Sequence, residues 1–295
     1  MEINLSKTSI QALRSYDEKV AKIEVLRIDQ IHPVISGNKW YKLRFYLKEA
    51  METGHSEIAS FGGAYSNHIV AMAYACKELG LKSIGFIRGE EPIIFSETLQ
   101  AASAYGMELI FVSRSVYKNK DAILQENQDS KRYWIPEGGY GMLGAKGAGT
   151  ILDNIFTQQY THLICAVGSG TMAAGLLNRS DNGIKVIGIS SQKNNFQLEA
   201  EVKKLVSVEH HHRFQLLHDY HFGGFAKHPK ELIQFMITFW ETENIPTDIV
   251  YTGKLFYAID DLINKEFFKK KDRLLVIHSG GLQGNLSLAQ NSLPY

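Results

Sequence analysis

Thr161-His162-Leu163-Ile164-Cys165-Ala166-Val167 runs straight into Gly168-Ser169-Gly170-Thr171 and then into Met172-Ala173-Ala174-Gly175. The apolar run has the length of a strand, the glycines interrupt it, and the small residues after them open a helix. Working outward, residues 58–61, 83–87, 108–112, 185–189 and 274–277 read as further strands, with helical patterns between most of them. Parallel strands need crossover connections, usually helical, so this rhythm predicts an α/β fold whose sheet is covered on both faces. Glycines crowd at Pro136-Glu137-Gly138-Gly139-Tyr140-Gly141 before the next βα unit begins. That places a smaller domain at 48–151 and a larger one formed by 1–47 with 152–295.

The 295 residues exceed one minimal module, and 44% hydrophobic with 21% charged residues suffices for a packed core rather than disorder. Lys+Arg 32 against Asp+Glu 31 leaves a net charge of +1, so no chain-wide field favours a nucleic acid partner. The N-terminus, Met1-Glu2-Ile3-Asn4-Leu5-Ser6-Lys7, carries an early acid and no apolar h-region, which argues against a secretion signal, and no stretch approaches the roughly 20 apolar residues of a membrane span. Cys76 and Cys165 lack CxxC spacing, so neither a disulfide framework nor a zinc site is expected, and a reducing, cytoplasmic setting follows. His210-His211-His212 are adjacent and point in different directions on a helix or a strand, which disfavours convergence on one metal ion.

Three strand-end turns carry glycine with hydroxyls. Gly168-Ser169-Gly170-Thr171 exposes N–H groups at the start of a helix, either as a phosphate cradle or as a plain connection. It is neither GxGxxG nor GxxxxGK[ST], which lowers nicotinamide and ATP readings and leaves a nucleotide-binding Rossmann module without its fingerprint. Phe61-Gly62-Gly63-Ala64-Tyr65-Ser66-Asn67-His68 is a second such turn, in which Ser66 is a helix N-cap or, with Asn67 and His68, part of a receiver for a carboxylate or phosphate. Ser279-Gly280-Gly281 closes a third strand. Together they imply one polar crevice at the carboxyl edge of the sheet. Ser36-Gly37-Asn38-Lys39-Trp40-Tyr41-Lys42-Leu43 then sets a lysine among aromatics, where desolvation frees an amine for imine chemistry with an aldehyde. A phosphate-bearing aldehyde cofactor is pyridoxal 5′-phosphate, an electron sink.

With these residues in order, the chain resembles the pyridoxal-phosphate enzymes of the tryptophan synthase β fold, in the 1-aminocyclopropane-1-carboxylate deaminase and D-cysteine desulfhydrase group. The resemblance spans about Arg27 to Gly281, through Gly37-Asn38-Lys39, Ser66-Asn67-His68, Gly168-Ser169-Gly170-Thr171, Val250-Tyr251-Thr252-Gly253-Lys254 and His278-Ser279-Gly280-Gly281. It implies two open, twisted, mostly parallel sheets flanked by helices, and a homodimer. It also implies that Lys39 is the imine lysine and removes the Cα proton with help from Ser66, and that Lys42 grips the phosphate together with Gly168, Ser169, Gly170 and Thr171. By the same resemblance Ser66, Asn67 and His68 receive the substrate carboxylate, with Asn67 also touching the cofactor. Tyr251 lies against the ring and transfers a proton, and Ser279 supplies a hydroxyl near the ring nitrogen.

Thr252 resembles the residue that faces the ring nitrogen, glutamate in the ring-opening deaminases and threonine in the desulfhydrases. A hydroxyl cannot hold a pyridinium charge as a carboxylate can, which suits β-elimination from a small amino acid such as D-cysteine to a 2-oxo acid, ammonia and sulfide. Phe225 stands where the family has a second substrate-contacting tyrosine, and Trp40, Tyr41 and Tyr65 suggest a bulkier, more apolar pocket. Deamination of 1-aminocyclopropane-1-carboxylate is the alternative activity, and a pyridoxal-phosphate-binding protein without catalysis is the alternative of another kind.

Overall fold

The computed structural model describes residues 8–16 and 18–295; the N-terminal stretch read for a secretion signal lies outside the described residues. Two separate sheets form. The larger has the order β1-β2-β10-β7-β8-β9, built from β1 (Ser9–Ala12), β2 (Lys22–Arg27), β7 (His162–Val167), β8 (Lys185–Ser190), β9 (Phe214–Leu217) and β10 (Arg273–Ile277). Only β1 runs antiparallel, paired to β2; every other pair is parallel. The smaller sheet has the order β5-β4-β3-β6, from β3 (Glu57–Gly62), β4 (Lys82–Arg88), β5 (Met107–Val112) and β6 (Arg132–Ile135), all parallel.

The central strands are apolar throughout because both faces are covered. Along β7, Leu163, Cys165 and Val167 enter one core while Ile164 and Ala166 enter the other. β10 does the same with Leu275 and Ile277 against Leu274 and Val276. The first core includes residues of α5 (Met142–Gly149) and α6 (Thr171–Arg179); the second includes the apolar face of α9 (Thr252–Asn264). The smaller sheet packs on α1 (Asn38–Glu52), α2 (Asn67–Leu79) and α3 (Glu97–Ala104) through a third core. Strands β1, β2, β6 and β9 add to the six read from the sequence. Among the histidines of the 210–212 run, His211 turns Nε2 onto the carbonyls of Lys203 and Val206, at 3.1 and 3.0 Å, closing the end of α7 (Leu198–Lys203). Among the described residues no helix is long and apolar enough to cross a membrane.

The two sheets meet where α1 begins. Gly37 has φ of +58°, and its backbone lies so close to the end of β10 that an added Cβ would stand 1.8 Å from the Ser279 carbonyl oxygen. One residue on, the Asn38 N–H donates to that carbonyl at 3.0 Å. Only glycine allows this approach, and it fixes where Lys39 enters. Replacing Gly37 by alanine combines backbone strain with overpacking, for a cost of about 3 kcal/mol or more. The expected result is a Tm roughly 6–12 °C lower in thermal denaturation. An unchanged Tm would mean that this contact does not position α1.

Candidate active site

Lys39 and Lys42 lie three residues apart on α1 and therefore share a face. Lys39 Nζ donates to Asn38 Oδ1 at 2.7 Å, and Lys42 Nζ lies 3.3 Å from Ser169 Oγ. Neither makes an ion pair among the described residues. Burial pulls the Lys39 ammonium down to about 8, with Asp248 opposing the shift. Lys42 is held well below the ordinary lysine value by burial and then by the neighbouring charge of Lys39. Two withdrawn cationic groups side by side are an electrostatic demand for an anion.

The anion's natural seat faces them. β7 ends at Val167, and Gly170, at φ of +81° with Val202 against it, turns the chain into α6 in a conformation that excludes a side chain. Ser169 Oγ and Thr171 Oγ1 stand 3.0 Å apart, so hydroxyls, helix N-terminus and Lys42 all line one turn. Gln192, which the sequence reading did not single out, donates from Nε2 to the Gly168 carbonyl at 3.0 Å and steadies the loop. A Cβ on Gly168 would meet the Tyr251 ring at 3.0 Å, so that ring lies directly on the turn. Burial, with Asp248 and Glu137 adding to it, pushes the Tyr251 phenol far up, and it stays protonated.

Thr252 is fully buried at the start of α9. Its hydroxyl donates to Asp248 Oδ1 and accepts from the Asp248 N–H, each at 2.7 Å. Asp248 also accepts from the N–H groups of Val250, Tyr251 and Thr252. This buried carboxylate was missed in the sequence. Its signal was an aspartate four residues before a threonine at a helix start, a short side chain able to satisfy the free N–H groups of a first turn. With its one proton committed to Asp248, the Thr252 oxygen has acceptor capacity left and no donor.

At α2 the Ser66 hydroxyl accepts from the Ile69 N–H, the N-cap that is one of its two readings from the sequence. Asn67 Nδ2 donates across the crevice to the Gly281 carbonyl at 3.2 Å, joining the second turn to the third. His68 is 2% exposed and turned into the small sheet, where Nε2 meets Ser60 Oγ at 2.8 Å. Burial, aided by Lys39 and Lys42, drops it to about 3, so the ring is neutral and offers an anion no positive charge. Ser279 is buried beside the Gly37 turn. Phe225 sits edge-on to Tyr251, with ring centroids 5.8 Å apart and planes at 75°. Tyr65 is exposed, and Trp40 is partly buried against both sheets' cores. Tyr41 departs from the expected pocket wall: two positions after Lys39 it falls on the opposite helical face and is buried in the large-sheet core.

The three turns thus converge with Lys39, Lys42, Tyr251 and Asp248 at the carboxyl ends of β3, β7 and β10. A buried lysine beside a partly buried one, a hydroxyl-lined turn at a helix start and an aromatic wall fit a cofactor that combines phosphate, aldehyde and aromatic ring. Comparisons with known proteins agree. A family model described as pyridoxal-phosphate dependent enzyme matches residues 5–280. A Thermotoga maritima protein, provisionally named a 1-aminocyclopropane-1-carboxylate deaminase, is 30% identical across 96% of each chain. A Pyrococcus horikoshii protein with the same provisional name is 30% identical over 94% of this chain and 90% of its own. The solved structure of an ACC deaminase homologue superposes with a TM-score of 0.81 at 27% identity, covering 97% of this chain and 92% of that one. A hydrogen sulfide-producing enzyme of Fusobacterium nucleatum shares the fold, with a TM-score of 0.70 at 16% identity over 95% of this chain and 96% of that one. The chain belongs to the pyridoxal-phosphate dependent enzymes.

Proposed function

We propose that the protein is a lyase that removes the β-substituent and the amino group of a small amino acid, in the manner of a D-cysteine desulfhydrase. Balanced for D-cysteine, the Cβ–S and Cα–N bonds break, one water is consumed, and pyruvate, ammonia and hydrogen sulfide leave. When bound, pyridoxal phosphate supplies an aldehyde that captures an amine and a ring that withdraws electrons from Cα.

In this reading Lys42 and the 168–171 turn hold the phosphate, and Lys39 is the amine that carries the cofactor and moves the Cα proton. Its Nζ suits that work because burial keeps a substantial fraction neutral near pH 8. Ser66, already oriented by the Ile69 N–H, assists the proton transfer. The start of α2 with Asn67 receives the substrate carboxylate through backbone N–H groups, because the neutral His68 has no charge to offer. Tyr251 packs against the ring and Phe225 bounds the substrate. Ser279 and Thr252 would meet the nitrogen end of the ring.

The observation that carries the elimination reading is Thr252 itself. Its oxygen can only accept, and Asp248 is the formal negative charge behind it, one hydrogen bond removed. An electron sink so supported suffices to expel a thiolate but is weaker than one backed by a direct carboxylate, which opening an unactivated ring favours. The names of the Thermotoga and Pyrococcus relatives favour ring opening of 1-aminocyclopropane-1-carboxylate as the second reading.

Two outcomes are expected. The holoenzyme given D-cysteine releases sulfide, ammonia and pyruvate in equal amounts, and gives no 2-oxobutyrate from 1-aminocyclopropane-1-carboxylate. The reverse pattern transfers the assignment to ring opening. For the apoprotein, the rate of covalent cofactor capture, followed by stopped-flow absorbance, climbs about tenfold per pH unit below pH 8 and levels off above it, since only the neutral amine attacks. A rate still climbing at pH 10 would show that the lysine responsible has an ordinary pKa.

A further inference from the structure

Lys254 has no part in the roles above, yet it is fully buried. It lies in the first turn of α9, three residues after Tyr251, which caps that helix. Its Nζ forms no ion pair among the described residues. Instead it donates to the carbonyls of His221 and Gly224, at 2.9 and 2.7 Å. These carbonyls also accept within the turn: His221 O from the Gly224 N–H at 3.0 Å, Gly224 O from the Lys227 N–H at 3.1 Å. One ammonium therefore ties both halves of the turn to the helix.

The turn needs such a tie. It joins β9 to α8 (Lys230–Glu243), and four of its residues have positive φ: Phe222 at 53°, Gly223 at 93°, Gly224 at 132° and Ala226 at 57°. Two of these carry side chains that disfavour that conformation. Phe222 is anchored edge-on to Tyr257, with centroids 4.8 Å apart. Phe225, on the other side of the two glycines, is 55% exposed, and its recorded ring contact is with Tyr251. The backbone just before it is tied down, the Gly224 carbonyl accepting from Lys254 at 2.7 Å.

We propose that Lys254 is a positioning residue for substrate specificity: by clamping His221 and Gly224 it fixes Phe225 against Tyr251 and so limits the size of β-substituent the cleft accepts. This rests on the elimination reading above for its substrates but not for the clamp.

The test uses the holoenzyme and Lys254→Met, which keeps the length and removes the donors. Amide hydrogen exchange across residues 221–227 should accelerate on the order of tenfold, a change of 1.4 kcal/mol in local opening, with β7 and β10 unaffected. In kinetics with D-cysteine and the larger O-acetyl-D-serine, the KM ratio between them should fall several-fold through loss of discrimination, while kcat for D-cysteine moves less. Phe225→Leu, a change on an exposed side chain, should shift the ratio the same way, and the double variant should add nothing to either single one. Unchanged exchange in Lys254→Met, or additive effects in the double variant, would overturn the proposal. If Lys254→Met does not fold, an unaltered ratio in Phe225→Leu overturns it instead. If the wild-type enzyme turns over neither amino acid, the elimination reading fails while the exchange data still decide the clamp.

Discussion

Two lysines share one face of one helix, Lys42 buried and Lys39 partly so, and neither forms an ion pair among the described residues. Withdrawing amines from water is costly, and the surrounding structure makes sense as the answer to that cost. The β7 turn brings hydroxyls and a helix N-terminus to Lys42. The Gly37 contact with Ser279 locks the entry of α1 and with it the point from which Lys39 departs. Asp248 lies near enough to oppose the shift of Lys39 without pairing with it, its oxygens being occupied by three N–H groups and the Thr252 hydroxyl. The site is left with two amines and a hydroxyl-lined helix start, a set that suits a phosphate and an aldehyde.

The same constraint explains why the cleft lies between two sheets. Phosphate turn and Lys39 belong to the neighbourhood of the larger sheet, while Ser66, Asn67 and His68 begin a helix that follows a strand of the smaller one. Asn67 reaching the Gly281 carbonyl is a direct hydrogen bond between those two neighbourhoods. The starts of α2 and α6, the proposed seats of substrate and cofactor, thereby belong to one crevice.

Much of this was legible because long apolar strands and glycine turns are local signals. β7 with its turn, and Ser66 as an N-cap, follow from a few consecutive residues. β2 was harder, since charged Lys22, Glu24 and Arg27 break its apolar pattern, and β6 and β9 are only four residues long. In the site, motif positions were readable but orientations were not. Tyr41 falls on the core side through helical phase, and His68 turns to Ser60, a partner eight residues earlier on another element. Asp248 left only the faint signal of an aspartate four residues ahead of a helix-start threonine, and Lys254 acts through backbone carbonyls of a distant turn, which no local pattern reveals.

The central claim, that Lys39 is the amine that carries the cofactor, is tested most directly by reductive trapping. Purified protein loaded with pyridoxal phosphate is treated with borohydride, digested, and mapped by mass spectrometry. The account predicts a single modified peptide with the pyridoxyl phosphate on Lys39. Modification on Lys42 or Lys254 with Lys39 untouched would contradict it.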